Sequence, residues 1–529
     1  MRKPYIIVVL ALFFTLIFSA VCHGDNPVVQ TNYTADPAPL VYNGTVYLYT
    51  GNDLDTATTS YKMTDWKCYS STDLVNWTDH GSVLDVTAFK WARQDQDANA
   101  AQVVYRNGKF YYYVAVSCTL AGKGGIALGV AVSDSPTGPF KDAIGAPLVT
   151  NNMTTYASHS WDDLDPTVFI DDDGQAYLYW GNNACYYAKL NSDMISLKGS
   201  IGAIPLTTAT FGPDYEEAPW AYKRQGLYYL IYASGFPESI AYSTSTSPLG
   251  PWNYRGIIMP RQGNSSTNHP GIIDYKGNSY FFYHNAALPG GGSYKRSVCA
   301  EKFSYNADGT IPSFSMSEAG VSTGVEKLNP YLRTEAETIC WEAGILTESC
   351  SEGGMNVGFI ENGDWIKVEG VDFGSGAASF EARVASGSSG GNIELRLDSS
   401  SGKLVGTCAI PGTGDWQDWT TKTCSVSGAS GVHDLYLKFT GGSGYLFNFN
   451  WWKFNSAAVN FGDVDNSGDI NAIDFSLMKQ YLLGTITEFP AADGLLRADL
   501  DGSGGIDAID YVLMKEYLLG KRSKFPAEL

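Results

Sequence analysis

Three carboxylates, Asp36, Asp165 and Glu217, stand eight or nine residues ahead of a glycine in repeated stretches of this chain, and Asn99 and His269 hold the same place in two further copies. Asp36 and Asp165 directly precede proline; Glu217 precedes it by two residues. One acid before a proline reads as an ordinary turn residue. Three in equivalent places form a costly cluster of like charge unless the cluster does chemistry. Cleavage of a glycosidic bond needs such a set: one carboxyl held protonated to release the leaving oxygen, a second ionised to activate water or attack. The proline after Asp165 predicts extended backbone at that residue.

The repeat itself must position these groups. Its copies read NGTVYLYTGND from Asn43, NGKFYYYVAVS from Asn107, DGQAYLYWGN from Asp173, QGLYYLIYASG from Gln225 and KGNSYFFYHN from Lys276. Each offers a glycine for a hairpin turn followed by alternating aromatics that suit a strand. The segments APLVY, AAQVVYR, PTVFI, APWAYK and PGIIDY supply a first strand before each turn. The turn glycines lie about 50 to 65 residues apart, room for one four-stranded blade each, which predicts a five-bladed β-propeller. In that fold the entries of equivalent strands converge on a central channel, bringing the five side chains together. Facing blades favour the wider carboxylate spacing, roughly 6.5–9.5 Å, that admits water and inverts the anomeric centre.

Composition agrees. The 529 residues include 34 Tyr, 13 Trp and 57 Gly, a turn-rich and mostly β profile with aromatic faces suited to sugars. A net charge of −20 repels nucleic acid and anionic membranes, leaving neutral partners. Residues 1–24 pair Arg2 and Lys3 with an apolar run, the pattern of a secretory signal, so the protein is expected to be exported. Of nine cysteines, Cys22 falls in the signal and Cys68, Cys118, Cys185 and Cys299 carry no assignment. Cys340, Cys350, Cys408 and Cys424 suit two disulfides of unreadable connectivity.

The blocks TADPAP around Asp36, LDPTVFIDDDGQAYLYWG around Asp165 and YEEAPWAYKRQGLYYLIYA around Glu217 resemble the three catalytic blocks of glycoside hydrolase family 43, in the family's order, over about residues 26 to 320. The resemblance implies an inverting five-bladed propeller with Asp36 as general base, Asp165 as pKa modulator and orienter, and Glu217 as general acid. Glu217 is preferred to Glu216 because it stands in the family's Glu-x-Pro position and alternation sends Glu216 to the other side of the strand. By the same resemblance His269 lies on the propeller axis, holding a water-coordinated calcium or the catalytic water. Arg296 resembles the arginine that reaches toward the modulator carboxylate. Asn99 stands where relatives often carry a stacking Trp.

The Gly- and Ser-rich segment KFSYNADGTIPSFSMSEAGVSTG from Lys302 ends the blade pattern, and 321–332 reads as a linker between the propeller at 25–320 and a β-sandwich at 333–455. TEAET, NVGFIENGDWIKVEG, GTGDWQDWTT and YLFNFNWWKF resemble family 6 carbohydrate-binding modules. That implies Phe359 and Trp416 sandwiching a sugar ring, Asn448 reading its hydroxyls, and Glu335 and Glu337 as structural calcium ligands. A second repeat follows, GDVDNSGDINAIDFSLMKQYLLG and ADLDGSGGIDAIDYVLMKEYLLG, within 459–526. Asp463, Asp465, Ser467, Asn471 and Asp474, then Asp499, Asp501, Ser503, Asp507 and Asp510, fall at calcium-loop positions 1, 3, 5, 9 and 12, with Asp469 and Gly505 at position 7. Asp rather than Glu closes each loop, and only a following helix is evident, a pattern resembling type I dockerins, which bind scaffoldin cohesins. Two calcium ions are therefore expected here, and Ala472-Ile473 and Ala508-Ile509 lie at the positions that contact cohesin.

The combined expectation is a secreted, extracellular, cellulosome-associated enzyme that removes α-L-arabinofuranosyl side chains from arabinoxylan, partnered by that plant pentosan and by cohesin. β-Xylosidase, xylanase or arabinanase activity, or a non-catalytic sugar-binding propeller, are the alternatives, since one fold hosts several pentose chemistries.

Overall fold

The computed structural model describes residues 26–456, 459–491 and 493–528. The expected signal segment lies outside the described residues. The protein is mostly β, and residues 33–303 form five antiparallel sheets in chain order. Their first strands are Tyr33–Tyr42, Ala101–Arg106, Thr167–Ile170, Glu217–Arg224 and Gly271–Tyr275. Each of the first three packs against the next one along the chain, the fourth meets the fifth through the Trp220 Nε1 hydrogen bond to the Ile272 carbonyl, and the fifth returns to the first. The five strands thus close a ring.

The turn chemistry is what the repeat called for. Asn43-Gly44, Asn107-Gly108, Gln225-Gly226 and Lys276-Gly277 are two-residue hairpin turns with positive φ at both positions, and the glycine takes the second at 76° to 83°. The aromatic alternation fills the seams between neighbouring sheets. Tyr113, Leu178 and Trp180 are buried between the second and third, Tyr179, Tyr232 and Trp252 between the third and fourth, and Tyr69, Trp77 and Phe282 between the first and fifth. Each such side chain contributes about 1.5–3 kcal/mol by leaving water.

The expectation of four strands per interval holds for the third and fourth sheets, whereas the fifth has three strands of its own. The start of the described chain covers its edge: Val28 N–H donates to the Val298 carbonyl at 2.9 Å and Asn26 Oδ1 accepts from Ala300 N–H at 2.9 Å. The ring is closed by joining its first segment to its last strand, which removes an open edge.

Residues 334–456 form two facing antiparallel sheets around a core of Phe380, Phe439, Phe449, Trp452 and Phe454. This sandwich docks on the first sheet of the ring. Thr338–Ile339 pairs with Trp77–Asp85, Asn76 exchanges two hydrogen bonds with the Glu369 backbone at 2.8 and 2.9 Å, and Thr347 Oγ1 donates to Asp79 at 2.7 Å. The segment between the two units is pinned as well, by Val325 N–H on the Asp73 carbonyl and Leu328 N–H on that of Gly370.

The two disulfides expected in the sandwich are not formed. All eight described cysteines are thiols; Cys340 lies against Glu369 at the junction, and Cys350 closes a turn with Gly354. Cys408 and Cys424 do adjoin across neighbouring strands. The last unit carries two helices, Ala472–Leu482 and Ala508–Leu518, held together by Met478, Leu513 and Met514 and by stacking of Phe475 on Tyr511 at 4.2 Å. Gly494–Ala498 adds a short helix before the second acidic loop, so that loop is preceded as well as followed by one. Among the described residues no helix is long and apolar enough to cross a membrane.

Candidate active site

One cavity of about 390 Å³ opens where the first strands converge, and Asp36, Asn99, Asp165, Glu217 and His269 all line it. The convergence expected from the repeat is therefore present at all five positions. The backbone differs from the expectation. Asp36, Asp165 and Ala218, each directly before a proline, have φ of 53°, 59° and 56°, in the left-handed region rather than extended. Pairing registers slip between Ala35 and Ala38 and between Glu217 and Trp220, so bulges at the strand entries re-aim the acids inward. Strain of this kind, about 1–3 kcal/mol per residue, persists where surrounding structure enforces it and collects at functional sites.

Asp36 is buried and clamped. Arg296 Nη1 donates to its Oδ1 at 2.9 Å, while Arg296 Nε and Nη2 make a bidentate pair with Asp53 at 2.9 Å each. The family resemblance sends Arg296 toward Asp165; its hydrogen bonds go instead to Asp36 and Asp53. The cause is local, since the Arg296 backbone N–H donates to Asp53 and its carbonyl accepts from Thr34 N–H, which fixes the side chain beside the first strand. Burial pushes the Asp36 carboxyl up to about 6 against the pull of Arg296, with Asp53 and Glu217 adding to the rise. Asp36 N–H donates to His284 Nδ1 at 3.2 Å, and His284 Nε2 faces the Thr267 carbonyl at 2.8 Å, an arrangement that calls for a neutral ring protonated on Nε2. His269 Nδ1 is 3.9 Å from Asp36 Oδ1, and burial next to Arg296 lowers it to about 3, so it too is neutral.

Asp165 is pushed well above the usual carboxylate range by burial and then by the charges of Glu217 and Asp36. Its Oδ2 accepts from Ala218 N–H at 3.0 Å, tying it to the residue after Glu217. Glu217 Oε2 accepts from Asn182 Nδ2 at 2.6 Å. Glu216 lines the cavity as well, contrary to the alternation expected of a strand, because it precedes the first residue of Glu217–Arg224 and strand geometry does not govern it.

Several groups at the site lie outside the first-strand pattern. Asp53 is the last residue of the second strand of the first sheet and His284 the last but one in that of the fifth, both within copies of the repeat and both in contact with Asp36 or its Arg296 partner. Glu238 precedes the third strand of the fourth sheet. Trp161, 54% exposed, and Phe236, 66% exposed, line the cavity from loops outside the repeat, as do Tyr61 and Tyr294, which meet edge-to-face at 4.8 Å. Four aromatics around a carboxylate-lined cavity suit a carbohydrate chain laid across the opening.

In the sandwich, Asn448 Nδ2 donates to Glu348 Oε1 at 2.6 Å and to the Trp416 carbonyl at 2.9 Å, and Gly358, next to Phe359, lies against Asn448. The structure thus gathers Phe359, Trp416 and Asn448, and adds Glu348 and the half-exposed Tyr445, which meets Phe359 edge-on at 5.6 Å. Glu337 is buried with Oε2 unpartnered, as is Asn450 Oδ1, oxygens that suit a hard cation. Glu335 is instead engaged by Arg333 at 2.8 and 2.9 Å. Near the C-terminus, ligand oxygens of Asp463, Asp465 and Asp474, and of Asp499, Asp501 and Asp510, lie within 4.8 Å of one another. Gly468 N–H and Gly504 N–H turn back onto Asp463 and Asp499, giving the loop shape the spacing implied. Ile473 and Ile509 are more than half exposed on the paired helices.

Comparison with known proteins gives three matches: residues 24–311 to glycosyl hydrolases family 43, 335–456 to carbohydrate binding module (family 6), and 461–519 to the dockerin type I domain. An arabinoxylan arabinofuranohydrolase of Bacillus subtilis (strain 168) is 38% identical over 488 residues, 81% of this chain and 92% of that protein. One of Paenibacillus polymyxa is 35% identical over 486 residues, 81% and 74% of the respective chains. The crystal structure of a family 43 arabinoxylan arabinofuranohydrolase from Bacillus subtilis in complex with cellotetraose superimposes with a TM-score of 0.71 at 37% identity, covering 82% of this chain and 98% of that one.

Proposed function

The chain belongs to glycosyl hydrolases family 43, and from that premise we propose that it is an inverting α-L-arabinofuranosidase that trims side chains from arabinoxylan as part of an extracellular cellulosome. The observation that carries this reading is the meeting of Asp36, Asp165 and Glu217 in one cavity of a chain alike over four-fifths of its length to arabinoxylan arabinofuranohydrolases. Its five sheets are the blades of a five-bladed propeller, with the cavity at the axis.

Asp36, with its carboxylate held by Arg296, takes a proton from the water that attacks the anomeric carbon. Glu217 gives its proton to the departing xylan oxygen. Asp165 orients Glu217 by accepting the N–H of Ala218, the residue that follows it. His269 and Arg296 shape the base side of the cavity. The reading is tested by product analysis on arabinoxylan, linear arabinan and xylo-oligosaccharides: free arabinose released from arabinoxylan alone supports it, and xylose or xylobiose as the main product overturns it.

Phe359, Trp416 and Asn448 hold a xylan segment on the docked sandwich, which raises the local concentration of substrate at the propeller. Glu337, with Glu335 nearby, is the calcium position of that module.

Dockerin domains generally bind calcium, and two ions are expected here. Asp463, Asp465, Ser467, Asp469, Asn471 and Asp474 would hold one; Asp499, Asp501, Ser503, Gly505, Asp507 and Asp510 would hold the other. A bound cation offsets the repulsion among each trio of aspartates. Chelation with EGTA should therefore make residues 459–528 of the intact chain rapidly cleavable by protease and abolish cohesin binding. Arabinose release should persist and added calcium should reverse both losses. Equal protease resistance with and without calcium would contradict this.

A further inference from the structure

Glu238 is a further acid at the cavity, after Asp36, Asp165, Glu216 and Glu217, and has no place in the scheme above. It is 4% exposed, and its Oε2 accepts the backbone N–H of Asn268. Among the described residues no donor reaches its Oε1. What its carboxyl meets is another carboxyl, that of Glu217. Two carboxyls in hydrogen-bond contact need a proton between them, since neither oxygen can donate when both are ionised. Oε2 is already an acceptor, so Oε1 is the atom left to carry that proton. Burial, followed by the charge of Glu217, favours the neutral acid at Glu238. Both line the cavity, but Glu217 is only half-buried, open to where a leaving oxygen would lie, whereas Glu238 is buried.

We propose that Glu238 is a positioning residue for the general acid, its carboxyl holding Glu217 and donating a hydrogen bond to the carboxylate that forms when Glu217 gives up its proton. This rests on the assignment of Glu217 as the acid. In the step, the Glu217 O–H bond breaks and its proton forms an O–H bond on the departing xylan oxygen. The new carboxylate is then held by Glu238 O–H and Asn182 N–H, and after the products leave the proton that Asp36 took from the attacking water passes through solvent back to Glu217. The proton of Glu238 is never spent. A glutamine has the same shape, accepts from Asn268 N–H through its carbonyl and donates to Glu217 through its amide; a leucine fills the space and does neither.

The test compares Glu238→Gln, Glu238→Leu and Glu217→Gln with the wild-type chain on arabinoxylan and on 4-nitrophenyl α-L-arabinofuranoside, whose leaving group departs without a proton. Glu238→Gln should stay within about threefold of wild-type kcat on both substrates, whereas Glu238→Leu should lose ~10-fold or more on arabinoxylan and under about threefold on the aryl glycoside. A Gln variant as impaired as the Leu variant would overturn the proposal, because the carboxyl proton or charge would then be needed. So would a Leu variant that loses equally on both substrates, which is a packing defect, or one that loses nothing. A Glu217→Gln variant without the split between leaving groups would instead remove the acid assignment itself.

Discussion

Replacing Asp36 by asparagine lowers kcat/KM for arabinose release from arabinoxylan by ~10²–10⁴-fold while the protein stays folded, because the amide cannot take the proton of the attacking water. The fold should tolerate the change. Asparagine keeps the volume, and Asp53 remains as the bidentate partner of Arg296. The small anion azide, which needs no deprotonation, should restore part of the turnover on an aryl arabinofuranoside. The pH profile carries the same assignment. A base must be ionised to work, and burial places the Asp36 carboxyl at about 6, so kcat/KM of the wild type should fall as pH drops below about 6. The limb lies well above that of an ordinary aspartate, near 3.9. An Asp36→Asn variant as active as the wild type, or a wild-type profile flat down to pH 4.5, would remove Asp36 from the role of base.

Replacing Glu217 by glutamine should be nearly as damaging on the polysaccharide and far less so on an activated substrate. A xylan oxygen leaves as a poor, strongly basic group and needs a proton in the transition state, so the loss on arabinoxylan should reach ~10²–10⁴-fold. On 4-nitrophenyl α-L-arabinofuranoside it should be about tenfold or less. Asn182 continues to face the substituted side chain, so binding is largely kept and the loss appears in kcat. Steady-state kinetics on the two substrates decide it. Equal losses on both would mean that Glu217 acts in binding or packing rather than as the proton donor.

Much of this site could be read from the chain because it is written in a repeat. The first strand of each sheet begins at the axis, so the residue eight or nine before the turn glycine recurs in the cavity five times, at Asp36, Asn99, Asp165, Glu217 and His269. The reading failed where that periodicity stops. Trp161 and Phe236 come from loops of unrelated length, and no spacing marks them as lining residues. Glu238 precedes a third strand, and Asp53 and His284 stand at or next to the last residue of second strands, positions the first-strand pattern alone does not use. The direction of Arg296 depends on main-chain hydrogen bonds to Thr34 and Asp53, 262 and 243 residues away along the sequence, which no local pattern encodes. The left-handed φ at Asp36 and Asp165 runs against the ordinary preference before proline, and tertiary packing rather than local propensity enforces it. The docking of the sandwich was equally hidden, since Asn76, Asp79 and Thr347 are unremarkable polar residues until the two units meet.

Proton NMR during the first minutes of arabinoxylan hydrolysis asks directly whether Asp36 and Glu217 act on opposite faces of one sugar. A β-arabinofuranose anomeric signal should appear first and only later give way to the mutarotated mixture, because a water activated by Asp36 attacks once from the far side. An α signal appearing first would mean retention through a covalent intermediate, and the pairing of Asp36 as base with Glu217 as acid would be wrong.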